Sequence, residues 1–345
     1  MICKVFKLVS NFCSQILLSK RRLKNIGVEG SKMKTYNAAV FFIDILGFSF
    51  LTKGQIQGIT EKDYESWGVD SSVEHPYSYL AATILIEFRD ALLSLKNQVP
   101  GLNVAQISDC AFIWSADVVE LLKGVHKLMW TMVKEKGILC RGGLSYGEIV
   151  TIDNSNNELG AFVVGDAVSR AVKNESKLKG PRITMDMEFP RAIWNHSADA
   201  KSIEYISHDL FHEIQSEINM DVVDEYRWYL CDDEFIKSQT CPPNYNQRIE
   251  LTKKRLTLAN VLKYHPRMGW NSRGKDGLVH LQAGVQAISK NGLLGVLHLF
   301  ETQIVMDDDK RSVGHVNRLD AKVMGDRYFK IEEKDKWNEA LMECD

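Results

Sequence analysis

Apolar and polar positions first fall into a readable pattern at Tyr36. There NAAVFFIDILGF forms an apolar run broken by one acid and closed by a glycine turn. Such a run, bounded by a turn, predicts a buried strand with Asp44 near its end. From Phe50 to about His75 the chain is polar and rich in turn formers, so an inserted loop is expected. Leu80, Ile84, Phe88 and Leu92 then recur at helical spacing and predict a helix over 77–95. LNVAQIS and CAFIWS follow as two short apolar strands with almost nothing between them, which requires a tight hairpin with Asp109 at its tip.

Asp117 is a natural N-cap and Gly137 a natural stop for a helical pattern between them. ILCRGGLSYGEIV reads as a glycine-rich strand, FVVGDAVSRAVKNESKL passes from a strand through a turn into a helix, and RITMDMEF reads as one more strand. The order β, α, β-hairpin, α, β, β, α, β predicts an α+β sandwich of the ferredoxin type, with helices packed on a mainly antiparallel sheet. Past residue 200 the pattern weakens. SIEYISHDLFHEI, QRIELTKKRLTLANVLKYH and a stretch near 283–304 read as helical patches. The expected organisation is a basic, flexible leader over 1–34, a catalytic domain over 35–200 with an insert at about 51–76, and a mainly helical extension over 201–345.

Composition narrows the class. Apolar residues make up 45% and charged residues 26% of the chain, the balance of a water-soluble globule. No apolar run is long enough to span a bilayer, so stable membrane insertion is not expected. The cysteines form no CxxC pair and no regular spacing, which supports neither a zinc cluster nor a disulfide framework and suits a reduced, cytoplasmic setting. The first 34 residues carry eight Lys or Arg against the single Glu29, leaving the remainder acidic and poorly suited to a nucleic-acid partner.

Asp44 and Asp109 are the most informative residues. A carboxylate closing an apolar strand must be paired, hydrogen-bonded or bound to metal, because burying it alone costs several kcal/mol. No basic partner is evident beside either in sequence. Mg²⁺ and Mn²⁺ accept hard oxygen ligands, and Asp44, Asp109 and the Ile45 carbonyl would supply them. The alternative is that each aspartate merely caps a turn. His208 and His212, four apart in a helical pattern, lack the glutamate of a metalloprotease motif and fit an ordinary helix face. Cys110 and Cys140 fit as strand fillers, and DDDK at 307–310 as a solvated turn.

Four segments carry a resemblance to a known family. FFIDILGF resembles the first-strand metal motif of class III nucleotidyl cyclases, ISDCAFIW their hairpin motif, RGGLSYGEIV the following strand, and VVGDAVSRAVKNESK their helix-opening motif. They fall in the family's order over residues 36–190. The resemblance implies a ribonucleoside triphosphate substrate and ring closure by in-line attack of its 3′-hydroxyl on the α-phosphorus. It implies two divalent ions, Mg²⁺ or Mn²⁺, held by Asp44, Asp109 and the Ile45 carbonyl, with Arg141 on the triphosphate. It also implies a homodimer, because each of the family's sites draws residues from two subunits.

The departures shape the substrate. Ala105 stands where adenylyl cyclases place a purine-reading lysine, and Phe162 where they place a base-reading aspartate, which disfavours adenine. Ser169 replaces the family's transition-state asparagine and Lys173 its arginine, so charge stabilisation would fall to Lys173, Arg170 or Lys179. Tyr36 and Phe42 share the strand face of Asp44 and join Ala105 as base-pocket candidates. Phe42 and Phe162 fit core packing better than base stacking. With these substitutions the chain resembles the pyrimidine cyclases of bacterial Pycsar antiphage defence. That implies cyclic CMP, or cyclic UMP, read by a separate effector. Competing expectations are a purine cyclase, a catalytically degenerate nucleotide-binding module, a polymerase-like enzyme joining two nucleotides, and a purely structural domain.

Overall fold

The computed structural model describes residues 32–153, 161–196, 211–215, 222–230, 258, 261–262, 265–273, 279–280 and 283–284. Its strands are β1 (Lys32–Ile45), β2 (Asn103–Ile107), β3 (Cys110–Ser115), β4 (Cys140–Asp153), β5 (Val163–Gly165), β6 (Ile183–Met185), β7 (Phe211–Gln215) and β8 (Val222–Tyr226). The helices are α1 (Phe48–Thr52), α2 (Glu61–Glu65), α3 (Pro76–Gln98), α4 (Val118–Trp130), α5 (Asp166–Glu175) and α6 (Glu188–His196). All eight strands belong to one sheet, ordered β2-β3-β1-β4-β6-β8-β7, with β5 also on β4. Every pair is antiparallel except β4 with β6. The molecule is therefore α+β, with one mainly antiparallel sheet and packed helices, as the pattern predicts.

The two faces of β1 explain its unbroken apolar run. Ala39, Phe41, Ile43 and Ile45 join Leu80, Ile84 and Phe88 of α3 and Leu121, Val125 and Met129 of α4 in the main core. Ala38, Val40 and Phe42 face the other way, against Ala167 and Ala171 of α5. A strand covered on both sides cannot alternate polar with apolar residues. Each fully buried Leu, Ile or Phe here contributes about 1.5–3 kcal/mol.

Asp117 caps α4 as expected, accepting from the Val119 and Glu120 amides at 2.9 and 3.0 Å. The last turn, Thr131–Lys136, widens to a π-helix before Gly137. Gly143 lets α5 lie directly on β4, because a Cβ there would collide with the Ala171 carbonyl and the Glu175 amide.

Several expectations need correction. Lys32, Met33 and Lys34, assigned from sequence to the leader, pair with β4 as the start of β1. The insert is not all loop: helix α1 runs into its start and α2 lies within it, closed by a Thr60–Asp63 capping box. RITMDMEF is a strand only as far as Met185, because Asp186 turns inward and accepts the Phe189 amide at its carbonyl, and Glu188 opens α6. Phe211–Gln215 is a strand paired with β8, so His212 sits on a strand and not a helix face. Thus β7 and β8, both past residue 200, continue the same sheet. Trp228 follows them into the core, donating to the Pro181 carbonyl at 3.0 Å and stacking edge-on against Trp130. Leu258, Val261, Leu262, Ala283 and Gly284 are in helical segments. His208, the DDDK run and residues 285–304 lie outside the described residues.

Candidate active site

The sheet brings Asp44 and Asp109 to neighbouring strand ends. Asp44 is the penultimate residue of β1 and stands opposite Cys110, the first residue of β3. Asp109 immediately precedes Cys110 in the two-residue turn of the β2–β3 hairpin, where Ser108 adopts a left-handed φ of 56°. The Ile45 amide donates to the Asp109 carbonyl at 3.1 Å, locking the strand end to the hairpin tip. On its other side β1 pairs Asp44 with Arg141 of β4.

That register supplies the basic partner that local sequence conceals. Arg141 Nη2 lies 3.7 Å from Asp44 Oδ2, and its Nε forms an ion pair with Glu175 at the C-terminal end of α5. Glu175 is a residue that motif reasoning passes over, yet a signal exists. Ala167, Ala171 and Glu175 follow one another at helical spacing on the buried face of α5, where a glutamate is out of place unless paired. Its side chain is only 8% exposed.

Asp44 and Glu175 thus share one guanidinium in a poorly solvated site, with the Asp109 charge nearby, and the imbalance appears in the titration of Asp44 and Glu175. Burial, the Glu175 charge and the Asp109 charge push the Asp44 carboxyl up to about 7, against a smaller opposing pull from Arg141. Burial also raises Glu175 above the usual carboxylate range, with Arg141 and Lys179 pulling the other way. Cys110, beside the acids, is driven up to about 12 by burial and by all three negative charges, and buried Cys140 is driven up as well. Both thiols are unsuited to nucleophilic work, in keeping with strand fillers.

The donor set fits a hard divalent cation. The excess of negative charge is the condition that such an ion relieves, and two carboxylates with a carbonyl leave places for phosphate oxygens and water. Among the described residues, no group of three or more His, Cys, Asp or Glu side chains is arranged to hold a metal. Asp44, Asp109 and the Ile45 carbonyl are the groups that could hold such an ion here.

The other candidates divide into two groups. Phe42 is buried and its ring lies 4.9 Å from that of Phe112. Tyr36 and Ala105 are half-buried against the same cluster. Phe162 is 45% exposed, so it does not pack into the core as predicted. Ser169 and Lys173 are exposed on the side of α5 opposite Ala171, and the Ser169 hydroxyl bonds back to the Gly165 carbonyl at 3.3 Å. Arg170 turns into the protein, meeting Asp166 at 2.8 Å, Asp186 at 3.0 Å and the Tyr146 carbonyl at 2.7 Å.

Asp186 anchors a polar network that the sequence does not announce. It accepts from Ser145 at 2.6 Å as well as from Arg170, while Asn174 donates to the Leu144 carbonyl at 2.7 Å. Thr184 bonds the Asn174 carbonyl. The network ties α5 to β4 and β6, and so fixes where Glu175 meets Arg141.

No family model matches the chain, and neither does any curated protein sequence. Among solved structures it is similar to the monomeric guanylyl cyclase domain of the RhoGC fusion protein from the aquatic fungus Blastocladiella emersonii, at 15% identity over 57% of this chain and 98% of that one, with a TM-score of 0.37. It is also similar to the adenylyl cyclase CyaB from P. aeruginosa, at 13% identity over 56% of this chain and 94% of that one, with a TM-score of 0.37. A bacterial light-regulated adenylyl cyclase aligns at 14% identity over 74% of this chain and 71% of that one, with a TM-score of 0.39.

Proposed function

We propose that the chain is a nucleotidyl cyclase of the class III type that converts a pyrimidine ribonucleoside triphosphate, CTP before UTP, to its 3′,5′-cyclic monophosphate and pyrophosphate. The observation that carries this reading is the meeting of Asp44 and Asp109 at adjacent strand ends, in a site whose negative charge is only partly answered by Arg141. Divalent ions held there by Asp44, Asp109 and the Ile45 carbonyl would neutralise phosphate charge and acidify the attacking hydroxyl. Arg141 stands beside them as the candidate phosphate-binding cation, with Glu175 holding its guanidinium from the far side. The absence of a polar group at Ala105 disfavours adenine, since a base whose polar atoms find no partner is bound less well.

The arrangement of α5 favours a homodimer with shared sites. Ser169 and Lys173 are exposed on α5, where they would be open to a partner's site. On the same sheet face Ala105, Cys110 and Phe112 are only half-covered, and Ile107 is 58% exposed, leaving apolar surface for the second subunit. Among the described residues no helix is long and apolar enough to cross a membrane. In this reading the product is a cytoplasmic second messenger of antiviral defence, read by a separate cyclic-nucleotide-binding effector.

The deciding experiment offers purified protein all four ribonucleoside triphosphates with Mn²⁺ and identifies products by mass. Cyclic CMP, with less cyclic UMP, is expected from the wild type and none from Asp109→Asn. A purine product would overturn the pyrimidine assignment, a two-base product would indicate nucleotide joining, and no product at all would leave a nucleotide-binding module.

A further inference from the structure

Three consecutive peptide groups leave β1 through the candidate metal turn, and each is held by a different part of the chain. The Ile45 amide donates to the Asp109 carbonyl at 3.1 Å and the Leu46 amide to the Leu139 carbonyl at 2.9 Å. The Leu46 carbonyl, belonging to the third peptide, accepts from Asn271 Nδ2 at 2.9 Å. Asn271 is 225 residues away in sequence and buried, and Trp270 beside it is fully buried. Gly47 completes the contact. Its φ is +80°, and a Cβ placed there would already touch the Trp270 ring and the Asn271 amide.

The segment that delivers Asn271 is itself firmly anchored, and its anchors lie on the insert and on α3. Trp67 Nε1 donates to the Arg267 carbonyl at 2.9 Å, and the Arg267 guanidinium lies over the Trp67 ring and 3.2 Å from Glu87. Arg273 meets buried Asp63 at 3.2 Å, the same aspartate that closes the capping box of α2. Gly269 passes so close to Asp63 that a Cβ would clash with its carboxylate. His265 starts the turn by accepting the Arg267 amide on Nδ1, and burial holds its imidazole below the ordinary histidine range, which keeps that nitrogen free to accept.

We infer, on the proposed reading of Asp44, Ile45 and Asp109 as metal ligands, that residues 265–273 and the insert together form a brace for the metal turn, with Asn271 as the positioning residue at its tip. Asn271 touches neither substrate nor metal. Its amide fixes the Leu46–Gly47 peptide and so backs the adjoining Ile45–Leu46 peptide, held by Leu139, whose carbonyl is the candidate ligand. A carbonyl ligand cannot adjust by rotating a side chain, so the orientation of its peptide sets the ligand position.

Asn271→Leu keeps the volume and removes the donor. The comparison variant is Asp117→Ala, which removes the α4 cap at the end of β3 remote from Asp44 and so tests for loss of stability alone. Mn²⁺ binding to the full chain, followed by electron paramagnetic resonance without nucleotide, is expected to weaken about tenfold in Asn271→Leu and to stay unchanged in Asp117→Ala. Hydrogen exchange at the Leu46 and Gly47 amides is expected to accelerate in Asn271→Leu only. Equal Mn²⁺ affinity in wild type and Asn271→Leu, or equal weakening in both variants, would overturn the role of Asn271 while leaving the proposed function standing. A wild type that binds no Mn²⁺ would remove the metal role of Asn271 together with the proposed site, and the exchange data would then report only on the brace.

Discussion

At the scale of single residues the site is a problem in unshared charge. Asp44 sits among two other acids and one guanidinium, and its carboxyl titrates near 7 instead of near 4. Between those values the folded, metal-free protein keeps a proton that the unfolded chain releases. The stability this group confers is therefore full below about pH 4 and is lost as pH rises toward 7. Asp44→Asn should flatten that dependence and raise the melting temperature at pH 8 in EDTA, by about 2–4 °C for each kcal/mol recovered. Calorimetry from pH 4 to 8 tests it, and an unchanged slope would show that Asp44 is not the group responsible. The aspartates themselves were legible in sequence, because an acid closing an apolar strand is conspicuous. Arg141 was legible as a residue but not as their partner, since only the register of β1 with β4 sets it opposite Asp44. Glu175 was legible in principle, by its place on the buried stripe of α5.

At the scale of elements, glycine and a small polar network position α5. Gly143→Ala should force the helix off β4, since the added methyl meets backbone that no rotamer change can move. Overpacking of this kind costs about 1–3 kcal/mol. Urea denaturation should show that loss, together with weaker Mn²⁺ binding as Glu175 withdraws from Arg141. Stability equal to wild type would mean that helix and strand can separate without penalty. Elements carried by regular periodicity, such as β1, α3 and the β2–β3 hairpin, were readable from the chain. Asp186 and the end of β6 were not. An acid at an alternating position looks like the solvent face of a strand, whereas here it points inward to Ser145 and Arg170. The strand at Phe211–Gln215 was missed because a five-residue edge strand with His, Glu and Gln in it carries little alternation of its own, and its pairing with β8 supplies the order.

At the scale of the whole molecule, the described segments beyond residue 200 share the sheet and core of the candidate site. Tyr226 and Trp228 are buried in the main core, and His126 of α4 bonds the Trp228 carbonyl at 2.8 Å. Trp228→Ala should therefore destabilise the entire sheet by about 3–5 kcal/mol. Fluorescence and far-ultraviolet circular dichroism should lose their signals at one shared midpoint; two separated midpoints would indicate an independent C-terminal unit. None of this integration was visible in the sequence, because contacts between distant, irregular segments leave no periodic trace. The long β1–β4 pair has a mechanical corollary. It runs antiparallel from Lys32 opposite Asp153 to Ile45 opposite Cys140, so the chain enters β1 and leaves β4 at the same Lys32–Asp153 end. Tension applied to residues 32 and 153 would peel the ladder open one peptide pair at a time from that end, at low force, and the acids at the opposite end would be the last to part.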